Sequence, residues 1–328
     1  MNQHIEMKTF VGPFAVVGLV LASLSARGVS QNVERPKMLG IAHIALYESD
    51  LRKARTFYED FLGFAEPFNL KRPDGSVRIA FIKINDYQYI ELFAEPPKQG
   101  EHFNHFSIYT NDAEQMREYL ASQGIKVSRK VGKAKIGNLN FNITDPDHHT
   151  LEITQYTPDG WSMREKGKFM PATRISDHMS HVGFVAGNLD ASMRFYHGIL
   201  GFEEFWRGAA RSSKTLSWVN MRVPDGTDYI ELMLYRNYPG PGQIGTKNHL
   251  CLVVPNVENA VATLESRPAY KNYGKEIKIQ VGVNRKRQAN LYDPDGTRIE
   301  LMEPNTIDGK PAPSSTLPAP VAQPKGQS

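Results

Sequence analysis

The feature that most constrains this chain is a pattern met four times: a histidine opens an apolar run, and some way downstream a glutamate stands between two aliphatic residues. The histidines are His43 in Ile-Ala-His-Ile-Ala-Leu, His105 in Phe-Asn-His-Phe-Ser-Ile, His181 in Met-Ser-His-Val-Gly-Phe and His249 in Lys-Asn-His-Leu-Cys-Leu. The glutamates lie in Ile90-Glu91-Leu92, Leu151-Glu152-Ile153, Ile230-Glu231-Leu232 and Ile299-Glu300-Leu301, at separations of 48, 47, 50 and 51 residues. Seven residues after each histidine comes a short polar side chain suited to begin a helix: Asp50, Asp112, Asn188 and Asn256. A register kept four times implies one supersecondary unit used four times.

A second level of repetition pairs the quarters into halves. Phe57-Tyr-Glu-Asp-Phe-Leu-Gly-Phe64 returns as Phe195-Tyr-His-Gly-Ile-Leu-Gly-Phe202, 138 residues later, and His43 and His181 each precede their run by 14 residues. Within each quarter a short strand pattern leads into an amphipathic helical pattern and then three more strand-like runs, a β-α-β-β-β unit. Strand side chains alternate faces, so burying the aliphatic neighbours of each closing glutamate against a helix turns the carboxylate to the opposite, concave face. Asp145-Pro-Asp147 and Asp293-Pro-Asp-Gly296 supply turn chemistry ahead of two of the final strands.

The histidine-opened strand, the Phe-Tyr-x-x-x-Leu-Gly-Phe run, the Asp-Pro-Asp turn and the closing glutamate together make the chain resemble the vicinal oxygen chelate superfamily, of glyoxalase, bleomycin resistance protein and extradiol dioxygenase type. The resemblance covers residues 38–303. It implies an α+β fold in which four βαβββ modules pair into two domains, with curved mixed sheets around concave clefts. The expected modules are 38–96 and 102–156 in the first domain, and 177–236 and 246–303 in the second. The segment 157–176, with Pro158, Gly160, Gly167 and Pro171, is expected to join the halves without forming a site of its own.

Imidazole and carboxylate suit a divalent iron, nickel, zinc, cobalt or manganese ion. The one cysteine, Cys251, offers no pair for a disulfide or a thiolate site, so a metal is expected on nitrogen and oxygen. The resemblance implies ligands at the module positions, hence up to eight metal-ligating residues: His43, Glu91, His105, Glu152, His181, Glu231, His249 and Glu300. If neighbouring modules pack, the sites are His43, Glu91, His105, Glu152 and His181, Glu231, His249, Glu300. If outer and inner modules pair, they become His43, Glu91, His249, Glu300 and His105, Glu152, His181, Glu231. In glyoxalase I a glutamate at such a position leaves the metal to move a proton, which makes Glu152 and Glu300 the candidate catalytic groups. None of His102, His148, His149, His178 and His197 follows the quarter period, and they read as loop, turn or solvated residues.

Three functions fit this site, the first two on a small molecule with adjacent oxygens. The first is glyoxalase-like lyase or isomerase chemistry through a metal-stabilised enolate. The second is Fe(II)-dependent extradiol ring cleavage, against which stands the stretch Asn284–Pro294: it holds no histidine, and its Tyr292 abuts Asp293. The third is non-catalytic sequestration of a ligand, with Phe205, Trp206 and Trp218 as possible lining.

A formal charge of +4, with basic and acidic residues interspersed, gives no electrostatic case for nucleic acid. Residues 1–28 have the layout of a secretory signal peptide: Lys8, an apolar run from Phe10 to Leu24, then small residues at Ser25, Ala26 and Gly28. An uncleaved anchor is the alternative, although Pro13 and the short run argue against a spanning helix. Both place the folded part outside the cytoplasm, in the periplasm or beyond, free of the membrane once the signal is cleaved. The Pro-rich tail 304–328 has little to bury and is expected to be disordered. Four modules complete both clefts within one chain, which is compatible with a monomer.

Overall fold

The computed structural model describes Met1, residues 33–98 and residues 100–321. By its contacts the chain separates into Met1–Asn32 and Val33–Ser328, and the fold is that of the second unit. The signal-peptide segment therefore lies outside the described residues, as does the end of the tail from residue 322. Among the described residues no helix is long and apolar enough to cross a membrane.

Each quarter folds as the unit read from its sequence. The first comprises β1 (Met38–Tyr47), α1 (Leu51–Arg55), β2 (Ala65–Lys71), β3 (Val77–Lys83) and β4 (Tyr89–Phe93). The second comprises β5 (Phe103–Thr110), α2 (Ala113–Ser122), β6 (Gly132–Lys133), β7 (Leu139–Thr144) and β8 (Thr150–Gln155). After a helical turn α3 (Trp161–Arg164) come β9 (Met179–Ala186), α4 (Leu189–Met193), β10 (Glu203–Gly208), β11 (Trp218–Arg222) and β12 (Tyr229–Leu234). The last quarter follows the short α5 (Pro241–Ile244) with β13 (His249–Val253), α6 (Val257–Ser266), α7 (Tyr270–Tyr273), β14 (Ile279–Val281), β15 (Lys286–Tyr292) and β16 (Arg298–Thr306).

All four expected caps form. Asp50 accepts from the backbone N–H groups of Arg52 and Lys53, Asp112 from Gln115, Asn188 from Ala191 and Asn256 from Asn259. Each satisfies a donor that the first helical turn leaves open. The repeated Phe-Tyr run continues α1 and α4 as a π-helical turn, Thr56–Phe61 and Arg194–Ile199. The wider turn closes with Leu62 N donating to Phe57 O and Leu200 N donating to Phe195 O, and then Gly63 and Gly201 take positive φ. Only glycine takes that conformation without steric cost.

Neighbouring modules share a sheet. The strand orders are β2-β3-β4-β1-β5-β8-β7-β6 and β10-β11-β12-β9-β13-β16-β15-β14. The two histidine-bearing strands of a half pair antiparallel at the centre, β1 with β5 and β9 with β13, and each glutamate strand lies parallel beside its own histidine strand. The outer-with-inner pairing of site residues is thereby excluded. Ile90, Leu92, Leu151, Ile153, Ile230, Leu232, Ile299 and Leu301, the aliphatics flanking the four glutamates, all enter one continuous buried core with the helices of both halves. The glutamates are left on the other face, as alternation requires.

The two repeated motifs meet across that core. Tyr58 of the first Phe-Tyr run donates to Asp293 of the second Asp-Pro-Asp turn at 3.1 Å, and Tyr196 donates to Asp145 at 3.0 Å. Both tyrosines are fully buried. The second aspartate of each turn accepts from the chain entering the opposite helix: Asp295 from Ser49 N and Asp147 from Gly187 N. His149, expected in a turn, follows the turn at 146–147 and is buried there, bonded to Asp145.

One expectation, that of a disordered tail, does not hold. Residues 304–321 are ordered: β16 runs on to Thr306, Ile307 N donates to Arg285 O, Ser315 N donates to Arg207 O, and Pro318 O accepts from Leu216 N. The tail gains its order from backbone groups offered by edge strand β10 and nearby loops, which a count of apolar side chains cannot reveal. The linker packs against the first domain. Trp161 packs edge-on against Phe68, Ser162 lines the first cleft, and fully buried Lys83 donates to the carbonyls of Glu165 and Lys168.

Candidate metal centres

The first cleft brings His43, Glu91, His105 and Glu152 together, and the second His181, Glu231, His249 and Glu300. In the first, the Nε2 atoms of His43 and His105 face each other at 3.0 Å; in the second, those of His181 and His249 lie 3.2 Å apart. Two nitrogens each bound at about 2.1 Å and at right angles would be about 3.0 Å apart. The carboxylates stand slightly further off. Glu91 Oε1 and Glu152 Oε1 are each 3.7 Å from His43 Nε2, and Glu152 Oε2 is 3.9 Å from His105 Nε2. In the second cleft Glu300 Oε2 lies 3.4 Å from His181 and 3.7 Å from His249, and Glu231 Oε1 is 3.6 Å from His249.

The outer ring nitrogen of His105 lies 2.9 Å from Asn104 Oδ1, an acceptor that leaves Nε2 its lone pair. Such a partner fixes the tautomer of a ligating histidine. His249 Nδ1 lies 3.0 Å from the Lys247 carbonyl, an acceptor, and 2.5 Å from Arg298 Nη2, a donor. Burial dominates the electrostatics. It holds His43 and His105 below the usual imidazole range, His105 at about 4, and it raises Glu91, which the neighbouring Glu152 raises further. Glu152 is raised by burial despite hydrogen bonds from Thr154 and Asn140. Neutral imidazoles and two crowded carboxylates, with no lysine or arginine among the residues lining the first cleft, are a donor set that suits a divalent cation.

In the second cleft burial raises Glu231 to about 7, whereas Glu300 lies low because His181 and Arg298 outweigh its burial. Burial and the adjacent Arg298 push His249 down. Cys251, two residues beyond His249 on the same strand, comes with His181 and Glu300 into a second three-residue group. Burial pushes its thiol well above the usual thiol range.

Three residues at these centres escaped the reading of the sequence: Arg298, Cys251 and Ser162. The signal for the first two was present, since a residue two positions from a strand ligand shares its face. Ser162 arrives from the linker, by tertiary packing alone. Of the proposed aromatics, Trp206 and Trp218 line the second cleft, and Phe205 lies in an adjoining hollow against Tyr229. His178 pairs with Asp228 at 3.0 Å, and exposed His197 bonds the Phe202 carbonyl.

A family model described as the glyoxalase/bleomycin resistance protein/dioxygenase superfamily matches residues 40–153 and 178–301. The chain is 23% identical to glyoxalase I of Saccharomyces cerevisiae over 229 residues, which are 63% of this chain and 65% of that protein. The match thus spans just under two thirds of the yeast protein. Among solved structures, the 2,3-dioxygenase LapB from Pseudomonas sp. KL28 superposes with a TM-score of 0.62 at 15% identity, covering 85% of this chain and 97% of that one. The Mn(II)-bound glyoxalase from Novosphingobium aromaticivorans superposes with a TM-score of 0.60 at 16% identity, covering 88% and 90%. At such identities the structural likeness establishes the fold.

Proposed function

Since the chain belongs to the glyoxalase/bleomycin resistance protein/dioxygenase superfamily, we propose that it is a metal-dependent enzyme that moves a proton on a small substrate with adjacent oxygens, in the manner of a glyoxalase-type lyase or isomerase. The observation that carries this reading is the surplus carboxylate in each cleft. Two histidines and one glutamate, His43, His105 and Glu91 or His181, His249 and Glu231, already lie within ligating reach of one another. Glu152 and Glu300 also lie 3.4 to 3.9 Å from both histidines of their clefts, so each is assigned the role of a fourth ligand that leaves the metal to accept a proton.

A divalent ion held by these groups supplies the Lewis acidity that stabilises charge developing on the substrate oxygens. The protein's own residues do the rest. Asn104 and the Lys247 carbonyl hold the imidazoles in register. Thr154 donates to Glu152 Oε1 at 2.6 Å and aims its other oxygen. Glu300, buried on the cleft wall, is the base or acid at the second centre.

Glu300→Gln is expected to keep its metal and lose roughly 10²- to 10⁴-fold in proton exchange at the second centre, because an amide cannot take the proton. Hydrogen–deuterium exchange of hydroxy-carbonyl compounds, followed by NMR in a Glu152→Gln background, reads this directly. Unchanged exchange would sink the assignment of Glu300.

The two-histidine, one-glutamate grouping also favours a second reading, ring cleavage by Fe(II). Against it, Tyr292 lines a surface hollow with Phe57 and Tyr273 and is absent from the lining of the second cleft. Oxygen uptake by iron-loaded protein on catechol separates the two chemistries. That the enzyme works outside the cytoplasm is a further part of the proposal, supported by the Lys8–Gly28 pattern.

A further inference from the structure

The two clefts are built from the same module yet differ in charge and room. The first is lined by Phe81, Tyr89, Phe93 and Ile136 around about 160 Å³. The second offers about 480 Å³ and is lined by Arg211, Arg298, Gln280, Asn284 and Asn290, with Trp206 and Trp218. Arg298 stands two residues before Glu300, where the first cleft has Thr150 two residues before Glu152.

Arg298 is poorly satisfied where it lies. Its Nη2 reaches the Lys247 carbonyl at 3.2 Å, Met233 Sδ at 3.5 Å and His249 Nδ1 at 2.5 Å, a nitrogen that also faces that carbonyl. Its Nε is buried without a partner, as are Asn290 Oδ1 and Trp206 Nε1 on the same lining. Among the described residues no aspartate or glutamate forms an ion pair with it. A guanidinium left with unused donors beside a cleft is suited to a planar anion that accepts two parallel N–H groups. Charge balance points the same way. With one divalent ion bound, the charges of Glu231 and Glu300 balance the ion, so Arg298 and exposed Arg211 give the lining a net positive charge.

We propose that the second cleft, and not the first, takes a carboxylate-bearing substrate, with Arg298 as the residue that selects the carboxylate. This rests on the metal-enzyme reading for the adjacent oxygens but not for the carboxylate, which Arg298 recognises by itself. Arg298 is a specificity residue: it holds a substituent remote from the reacting oxygens.

Calorimetric titration of the full chain loaded with Zn(II), an ion without redox chemistry, compares 3,4-dihydroxybenzoate with catechol, which share their vicinal oxygens and differ by the carboxylate. The carboxylate compound is expected to bind roughly tenfold to a hundredfold more tightly, the gain of a charge-assisted contact. Arg298→Gln should abolish that preference while catechol binding stays, and Arg298→Lys should restore part of it. The preference should survive His43→Ala/His105→Ala, which disables the first centre.

Equal affinities in the wild type, a preference that persists in Arg298→Gln, or a variant that weakens both compounds alike would each overturn the proposal. So would zinc uptake with no binding of either compound, although the metal centre would then stand. A chain that takes up no zinc would overturn the metal reading instead. The carboxylate claim is then decided by benzoate against benzyl alcohol, and it falls if Arg298→Gln leaves their difference unchanged.

Discussion

Glu48 shows what a single side chain can cost this fold. It is fully buried against Asp293 and Asp295, acidic neighbours that can share a hydrogen bond with it only while it keeps its proton. Burial first, and then the charge of Asp293, raise its pKa well above the ordinary value of 4.5. With the folded-state pKa raised, the unfolded chain ionises first, so stability falls as pH climbs above about 4.5 towards the folded value. Glu48→Gln should therefore melt higher than the wild type at neutral pH, by a margin that shrinks on acidification. A margin independent of pH between 5 and 8 would show that the carboxyl is not the destabilising group. Residue types also set what could be read from the sequence: all eight ligand candidates stand in the two clefts because each was marked by a repeat. Arg298 carried no such mark, and only its place on the Glu300 face gives it a role.

At the scale of elements, the antiparallel contact of β9 with β13 depends on Gly183. A Cβ there would fall within the imidazole of His249, which crosses directly over the glycine. Gly183→Ala should displace that ring and cost about 1 to 3 kcal/mol through overpacking. The measurable outcome is loss of metal from the second centre with the first still loaded; full stoichiometry would mean that the ring has room to give. The histidine strands, the caps and the glutamate faces were legible because each follows a local rule, capping or alternation. Module pairing was not, since it depends on contacts between strands far apart in sequence. The ordered tail was missed for a related reason: its partners are backbone groups of β10 and of loops away from it in sequence.

The whole molecule is held by a pair of motif exchanges, Tyr58 with Asp293 and Tyr196 with Asp145, each joining one half's helix to the other half's turn. Tyr196→Phe removes a buried hydrogen bond to a carboxyl group and should lower unfolding stability by about 1.5 to 3 kcal/mol, checked by denaturant titration. A single cooperative transition should persist, because the core is continuous between the halves. Two separate transitions would show that the halves fold independently. The sequence displayed both motifs as repeats, but their partnership became visible only once the halves were packed against each other.

Two histidine–glutamate centres in one chain should hold two divalent ions, a stoichiometry that plasma mass spectrometry reads on reconstituted wild type and His249→Ala. The wild type should carry about two equivalents and the variant about one fewer, with its thermal unfolding little changed. No metal in the wild type after reconstitution, or undiminished stoichiometry in His249→Ala, would contradict the two-centre assignment.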